Sequence, residues 1–146
     1  MSRSFTDTLE TIVTSLEMLS PPTRPTVPAP MGKLALLRLD PPTLTFYRFL
    51  YDTVGADWAW TDRRLMDDDD LADAIFQEAI EIYVLYSGGV PAGFTEIDRG
   101  AYDDVELKYF GLMPDFIGHG LGWYFLNWAI DKAWSSNPKR VWVHTC

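Results

Sequence analysis

The chain has 146 residues and a formal net charge of −9, from 12 Lys and Arg against 21 Asp and Glu. That length admits one domain with a real core and excludes a multidomain machine, while the acidic balance leaves no basic footprint for nucleic acid or an anionic membrane surface. With 47% apolar residues, 14% aromatics and six Trp, the composition is that of a packed globular protein and not of a disordered acidic tail.

The opening MSRSFTDTLE lacks the apolar stretch of a secretory signal, and no segment approaches the roughly 18 apolar residues of a membrane span. The single cysteine, Cys146, is the final residue, so no internal disulfide is expected and the cytoplasm is the default compartment. Phe5, Leu9, Ile12, Val13, Leu16 and Leu19 recur at helical spacing, with Ser4 and Asp7 placed as a cap pair, which predicts an amphipathic helix over the first twenty residues. Residues 21–30, PPTRPTVPAP, hold five of the ten prolines and predict an extended linker, so that the compact domain starts near Met31.

Lys33 to Leu39 suits a first strand, which Asp40-Pro41-Pro42 ends. Thr43 to Val54 reads as a helix with Leu44, Tyr47, Phe49, Leu50, Tyr51 and Val54 mostly along one side, and Gly55 closes it. Trp58 and Trp60 follow in a loop-like setting, as core residues or as pocket walls. The carboxylates Asp67 to Asp70 fall at a helix N-terminus, where the free amides favour negative charge. Adjacent Asp side chains diverge on a helix and no His joins them, so no metal site is expected.

From Ile80 the texture is that of strands: IEIYVLY, a Ser87-Gly88-Gly89 turn, VPAGFTEID, a second turn, and DVELKYFGLM, together an antiparallel meander. Gly118 to Gly122 leads into a helix of about four turns, with Leu121, Phe125, Trp128 and Ala129 on its apolar side and Asn127, Asp131 and Ser135 on its polar one. RVWVHT, residues 140–145, is a further strand, and the strand–helix–strand order implies a right-handed crossover and a parallel pair. The fold class is therefore α/β with a mixed sheet.

Chemistry concentrates in residues 111–130. Gly118, Gly120 and Gly122 allow close backbone approach, and the amides of His119, Gly120, Leu121 and Gly122 aim at one point at a helix N-terminus, an arrangement suited to phosphate. The plain alternative is a glycine-rich start to a helix. A dinucleotide fold wants a glycine where Trp123 stands, and an ATPase-type loop wants Lys and Ser or Thr where Trp123 and Tyr124 stand.

The order of elements over residues 33–146, and the segment from Glu106 through PDFIGHGLG to Cys146, resemble the GNAT acetyltransferase family. In that family the loop reads Gln or Arg, two residues, Gly, one residue, then Gly or Ala. Gly118 and Gly120 match, whereas Asp115 stands at the Gln or Arg position and Ile117 where an Arg is common. The resemblance implies acetyl-CoA as co-substrate, its pyrophosphate on the loop amides and its pantetheine arm along Phe110 to Met113, with Gly111 at a bulge and the Leu112 amide on the acetyl carbonyl. It implies an N-acetyltransferase in which an amine attacks directly in a ternary complex, with Glu106 as base and Tyr109 and His144 as weaker candidates. In simple alternation Glu106 faces away from Leu107 and Tyr109. A solvated Glu106 paired with Lys108 or Arg99 is the competing reading.

Members of that family continue into another helix and final strands. The resemblance therefore implies a C-terminally incomplete domain over 31–146 that leaves RVWVHT as an exposed edge, covered at most by a second subunit through the leading helix. A catalytically defective relative that binds CoA, or serves as an interaction module, is the alternative function. The acceptor is expected to be a small amine or a basic peptide, and a homodimer is an expected state.

Overall fold

The computed structural model describes residues 14–145. Among them six strands form one sheet in the order β1-β6-β5-β4-β3-β2. The strands are β1 (Thr14–Met18), β2 (Leu34–Arg38), β3 (Ile80–Ser87), β4 (Val90–Ala101), β5 (Asp104–Leu112) and β6 (Arg140–Thr145). Helices α1 (Leu44–Gly55), α2 (Asp68–Ile75) and α3 (Leu121–Trp134) complete the framework. Strands β2 to β5 are antiparallel neighbours, and α3 is the crossover that makes β5 and β6 parallel. Among the described residues no helix is long and apolar enough to cross a membrane.

Local chemistry sets the helix starts. The Thr43 hydroxyl accepts from the Phe46 amide at 3.3 Å to open α1, and the Asp67 carboxylate accepts from the Asp70 amide at 2.8 Å to open α2. The acidic run is thus a helix start.

The two sheet faces have separate cores. On one, Tyr47, Leu50, Tyr51 and Val54 of α1 and Leu71 and Ile75 of α2 pack on Ile80, Ile82, Val84 and Phe94. On the other, Ala129 and Ala133 of α3 pack on Tyr83, Ile97, Val105, Leu107 and Val141, and Leu121 and Phe125 pack near Leu85 and Ala92. Asn127, on the expected polar side of α3, is nevertheless buried. Its Nδ2 donates to the Trp123 carbonyl at 2.8 Å, and Arg24 of the Pro-rich segment donates to the Asn127 backbone carbonyl.

Two sequence expectations fail here, the leading helix at its described end and the exposed edge of β6. Residues 1–13 of the expected helix lie outside the described residues, but Thr14–Met18 is a strand, antiparallel to β6 in the register Leu16↔Val143 and Met18↔Val141. Accordingly β6 is not an exposed edge, because β1 of the same chain covers it. The physical reason is that a strand like β6 offers a row of unpaired backbone groups, and a short isolated helix carries a nucleation cost that pairing avoids. Met18 then packs on the α3-side core at strand spacing. The Pro-rich segment, residues 21–30, has neither helix nor strand, and it is held to the domain where Arg24 pairs with Asp131 of α3 at 3.0 Å and donates to the Asn127 carbonyl at 3.4 Å.

Candidate functional site

Strands β5 and β6 pair only at Asp104↔Arg140, Val105↔Val141 and Glu106↔Trp142. Beyond Glu106 they part, because β5 stays with β4 while β6 continues along β1. A bulge in β5 marks the parting. Glu96 faces Tyr109 and Ile97 faces Leu107, which leaves Lys108 without a partner on β4. The Tyr109 carbonyl at this irregularity accepts from the Thr95 hydroxyl at 2.8 Å.

The bulge corrects two expectations. It lies at Lys108 and not at Gly111, and it turns Tyr109 onto the same face as Glu106, away from Leu107. Leu107 packs in the α3-side core and Tyr109 in the α1-side core. Gly111 serves another purpose: a Cβ there would collide with Val54 Cγ1, so its bareness lets α1 press onto β5.

Further along β5 the Met113 amide donates to the Ala92 carbonyl at 2.8 Å, and the Met113 carbonyl accepts from the Phe116 amide at 2.9 Å. Both backbone groups of Met113 are thus engaged within the chain and its side chain is buried in the core. Antiparallel alternation then directs the backbone groups of Phe110 and Leu112 away from β4 and into the gap toward β6. The gap runs directly into the glycine loop, since a Cβ on Gly122 would lie 3.5 Å from Leu112 Cδ1.

In that loop a single 3₁₀ turn, Pro114–Phe116, precedes Gly118 at φ +84° and Gly120 at φ +82°. Gly120 is the N-cap of α3, and no side chain caps it. The first amides of the helix, at Leu121 and Gly122, are therefore offered to whatever lies outside, with the positive end of a 14-residue helix behind them. Open space faces both left-handed glycines, and His119 between them is exposed. This donor set and the adjoining gap fit a pyrophosphate followed by an extended amide-bearing arm.

The α1-side face of the gap carries the titratable groups. Glu106 is buried, not solvated, and it pairs with neither Lys108 nor Arg99. Lys108 lies 3.8 Å from Asp98, and Arg99 lies 2.7 Å from Glu81. Instead Glu106 Oε2 lies 3.0 Å from Nδ1 of His144, off the line a hydrogen bond needs, so Oε2 has the imidazole as a close neighbour but no formed hydrogen bond. The imidazole lies tilted against Trp142 with ring centroids 5.6 Å apart, and the Arg140 guanidinium lies over the Trp142 ring at 5.1 Å.

Tyr109 contacts Tyr51, Trp60 and Arg63, with ring centroids 5.1 and 5.2 Å away and the guanidinium 5.5 Å away. Burial, reinforced by the Tyr51 hydroxyl, pushes its phenol above the usual range, so near neutral pH Tyr109 holds its proton. Of the two loop tryptophans, Trp60 packs in the core against Tyr51 and Phe94, whereas Trp58 is 64% exposed.

Sequence reading missed the group behind Tyr109. Glu96 is fully buried, accepts from the Tyr47 hydroxyl at 2.5 Å and pairs with the buried Arg63 at 2.7 Å. Burial pushes Tyr47 and Glu96 up; it opposes charge on Arg63 as well, but Glu96, Tyr47 and Tyr109 together outweigh that and hold the guanidinium ionised. The available signal was Glu96 within the apolar strand AGFTEID, on the same side as Phe94.

The sequence profile of the acetyltransferase (GNAT) family matches residues 47–146. No curated protein sequence matches the chain. Among solved structures, an aminoglycoside acetyltransferase from an uncultured soil metagenomic sample superposes with a TM-score of 0.61 at 14% identity, covering 77% of this chain and 78% of that one. The ribosomal-protein-S18-alanine N-acetyltransferase of Escherichia coli superposes with a TM-score of 0.53 at 19% identity, over 69% of this chain and 59% of that one. A GNAT family acetyltransferase from Elizabethkingia anophelis, solved with acetyl-CoA bound, gives a TM-score of 0.53 at 14% identity, over 72% and 60% of the two chains.

Proposed function

The chain belongs to the GNAT acetyltransferase family, and from that premise we propose that it transfers the acetyl group of acetyl-CoA directly to an amine held in the same complex. The observation that carries the reading is the continuity of the β5–β6 gap with the uncapped amides at Gly120 to Gly122. In this reading the amides of Leu121 and Gly122 receive the pyrophosphate, with Gly118, His119 and Gly120 shaping the turn. The backbone groups of Phe110 and Leu112 receive the pantetheine arm, and Met113 contributes packing alone. Acetyl-CoA, when bound, supplies the activated acyl carbon. A donor such as the Leu112 amide polarises the carbonyl, and the neighbouring side chains of Glu106 and His144 together form the proton-accepting end of the gap.

The acceptor class is an amine or a basic peptide, which the −9 charge favours by long-range attraction. The aminoglycoside acetyltransferase and the ribosomal-protein-S18-alanine N-acetyltransferase among the structural neighbours bracket that range and do not choose within it.

Thiol release from acetyl-CoA across a panel of polyamines, aminoglycosides and basic peptides tests the proposal, with calorimetry of CoA binding beside it. Turnover with at least one amine and CoA binding that Gly120→Glu reduces by 100-fold or more, about 2.7 kcal/mol, are the expected results. Binding without turnover on any amine sinks the enzymatic reading. Unchanged binding in Gly120→Glu sinks the loop assignment.

A further inference from the structure

We infer that the proton acceptor of this site is His144, with Glu106 as the positioning residue behind it. The inference rests on the acetyl-transfer reading above and assigns its base. Three observations carry it. The first is access: the Glu106 side chain is 10% exposed while that of His144 is 43% exposed, so an amine arriving from solvent meets the imidazole before the carboxylate. The second is pairing: Nδ1 of His144 faces Glu106 Oε2 at 3.0 Å, and that oxygen is buried without another partner. Hydrogen bonds of this kind are often misaligned until substrate closes the site. The third is place. Glu106↔Trp142 is the last paired position of β5 and β6, and His144 stands on the same face of β6 two residues farther, on the rim of the gap.

The surroundings suit that role. A carboxylate on Nδ1 fixes the tautomer that leaves Nε2 free to accept a proton, and it stabilises the imidazolium that results. The charged groups on this face around His144 are Glu106 and Asp104 from β5, Arg140 of its own strand and Glu17 from β1; the Arg140 guanidinium lies 3.3 Å from the Glu17 carboxylate and 3.6 Å from that of Asp104. Arg140 is thereby engaged with Glu17, Asp104 and the Trp142 ring, leaving Glu106 as the carboxylate beside the imidazole.

In the transfer, the amine lone pair forms the N–C bond to the acyl carbon, and the C–S bonding pair leaves with the sulfur of CoA. The proton shed by the nitrogen passes to Nε2 of His144 and from there to the thiolate or to solvent. The products are the N-acetylated amine and the CoA thiol, with no other reactant consumed.

The test is the pH dependence of kcat/KM for the wild type, His144→Ala and Glu106→Gln, using the best amine of the panel. His144→Ala should lose 100-fold or more in kcat, with KM for acetyl-CoA within about twofold of the wild type. It should also lose the acidic limb of the profile and regain rate when free imidazole is added. Glu106→Gln should turn over more slowly at every pH and keep the limb, because the imidazole remains. If His144→Ala keeps the wild-type rate and limb while Glu106→Gln loses the limb, Glu106 is itself the base and the inference is overturned. Absence of thiol release from the wild type would overturn the acetyl-transfer reading, and this assignment with it.

Discussion

The two faces of the sheet are built on opposite terms. On the α3 side the core is apolar, with Trp134 Nε1 as its orphaned polar atom among the described residues, and charge is kept to the rim: Arg99 bridges Glu81 to the carbonyls of Lys132 and Ala133 at the C-terminal end of α3. On the α1 side an ion pair, Arg63 with Glu96, sits inside the core with the Tyr47 hydroxyl. The same face carries Glu106, Tyr109 and His144 around the gap. Burying charge is costly, and a hydrophobic pair of the same shape often serves stability as well. The contrast teaches that the α3 side is made for packing, whereas the α1 side accepts the cost of dry polar groups where they hold the aromatic wall of the site.

Breaking that ion pair is the largest effect expected. Arg63→Ala should destabilise the fold by about 3–5 kcal/mol, because it strands the Glu96 carboxylate in the core and removes the guanidinium from the Tyr109 ring. Denaturant unfolding measures this, and the double variant Arg63→Met with Glu96→Leu should recover most of the loss. Without such recovery, the polar interior would be packing like that of the other face. A smaller effect belongs to the contact between α1 and the gap. Gly111→Ala forces Cβ against Val54, and overpacking of this kind costs about 1–3 kcal/mol. The same variant should weaken CoA binding, since β5 must shift where its Phe110 and Leu112 backbone groups face the gap. A variant that loses stability and keeps CoA affinity would detach the α1 side from the cofactor.

Much of this was legible beforehand, for physical reasons that can be named. The meander, α3 and the parallel pair follow from period-2 and period-3.6 patterns broken by glycine and proline, and the loop glycines follow from a strand meeting a helix. The bulge was illegible, because nothing in Leu107-Lys108-Tyr109 signals that two neighbours will share a face. Leu16 and Leu19 fit a helical spacing, and only the presence of β6 beside them makes Thr14–Met18 a strand, a tertiary preference that local sequence does not contain. For Arg63 and Glu96, 33 residues apart, no local pattern exists. The His144–Glu106 contact likewise depends on where β5 and β6 part.

The smallest effect tests the rim of the α3 side and should separate the faces by pH. Burial works against charge on Glu81, but hydrogen bonds from Arg99 and Tyr83 outweigh it, and its carboxyl is held below the ordinary value of 4.5. A folded carboxyl with a lowered pKa adds stability that is fully present above the unfolded value and fades as pH falls through the folded one. The difference in unfolding free energy between the wild type and Glu81→Gln should therefore be about 1 kcal/mol at neutral pH and shrink below pH 4.5. Glu96 shifts the opposite way, so removing it cannot produce the same loss on acidification. If Glu81→Gln gave a difference that held constant from neutral pH to well below 4.5, the rim pair would be contributing shape and not charge, and the two faces would differ less than their residues suggest.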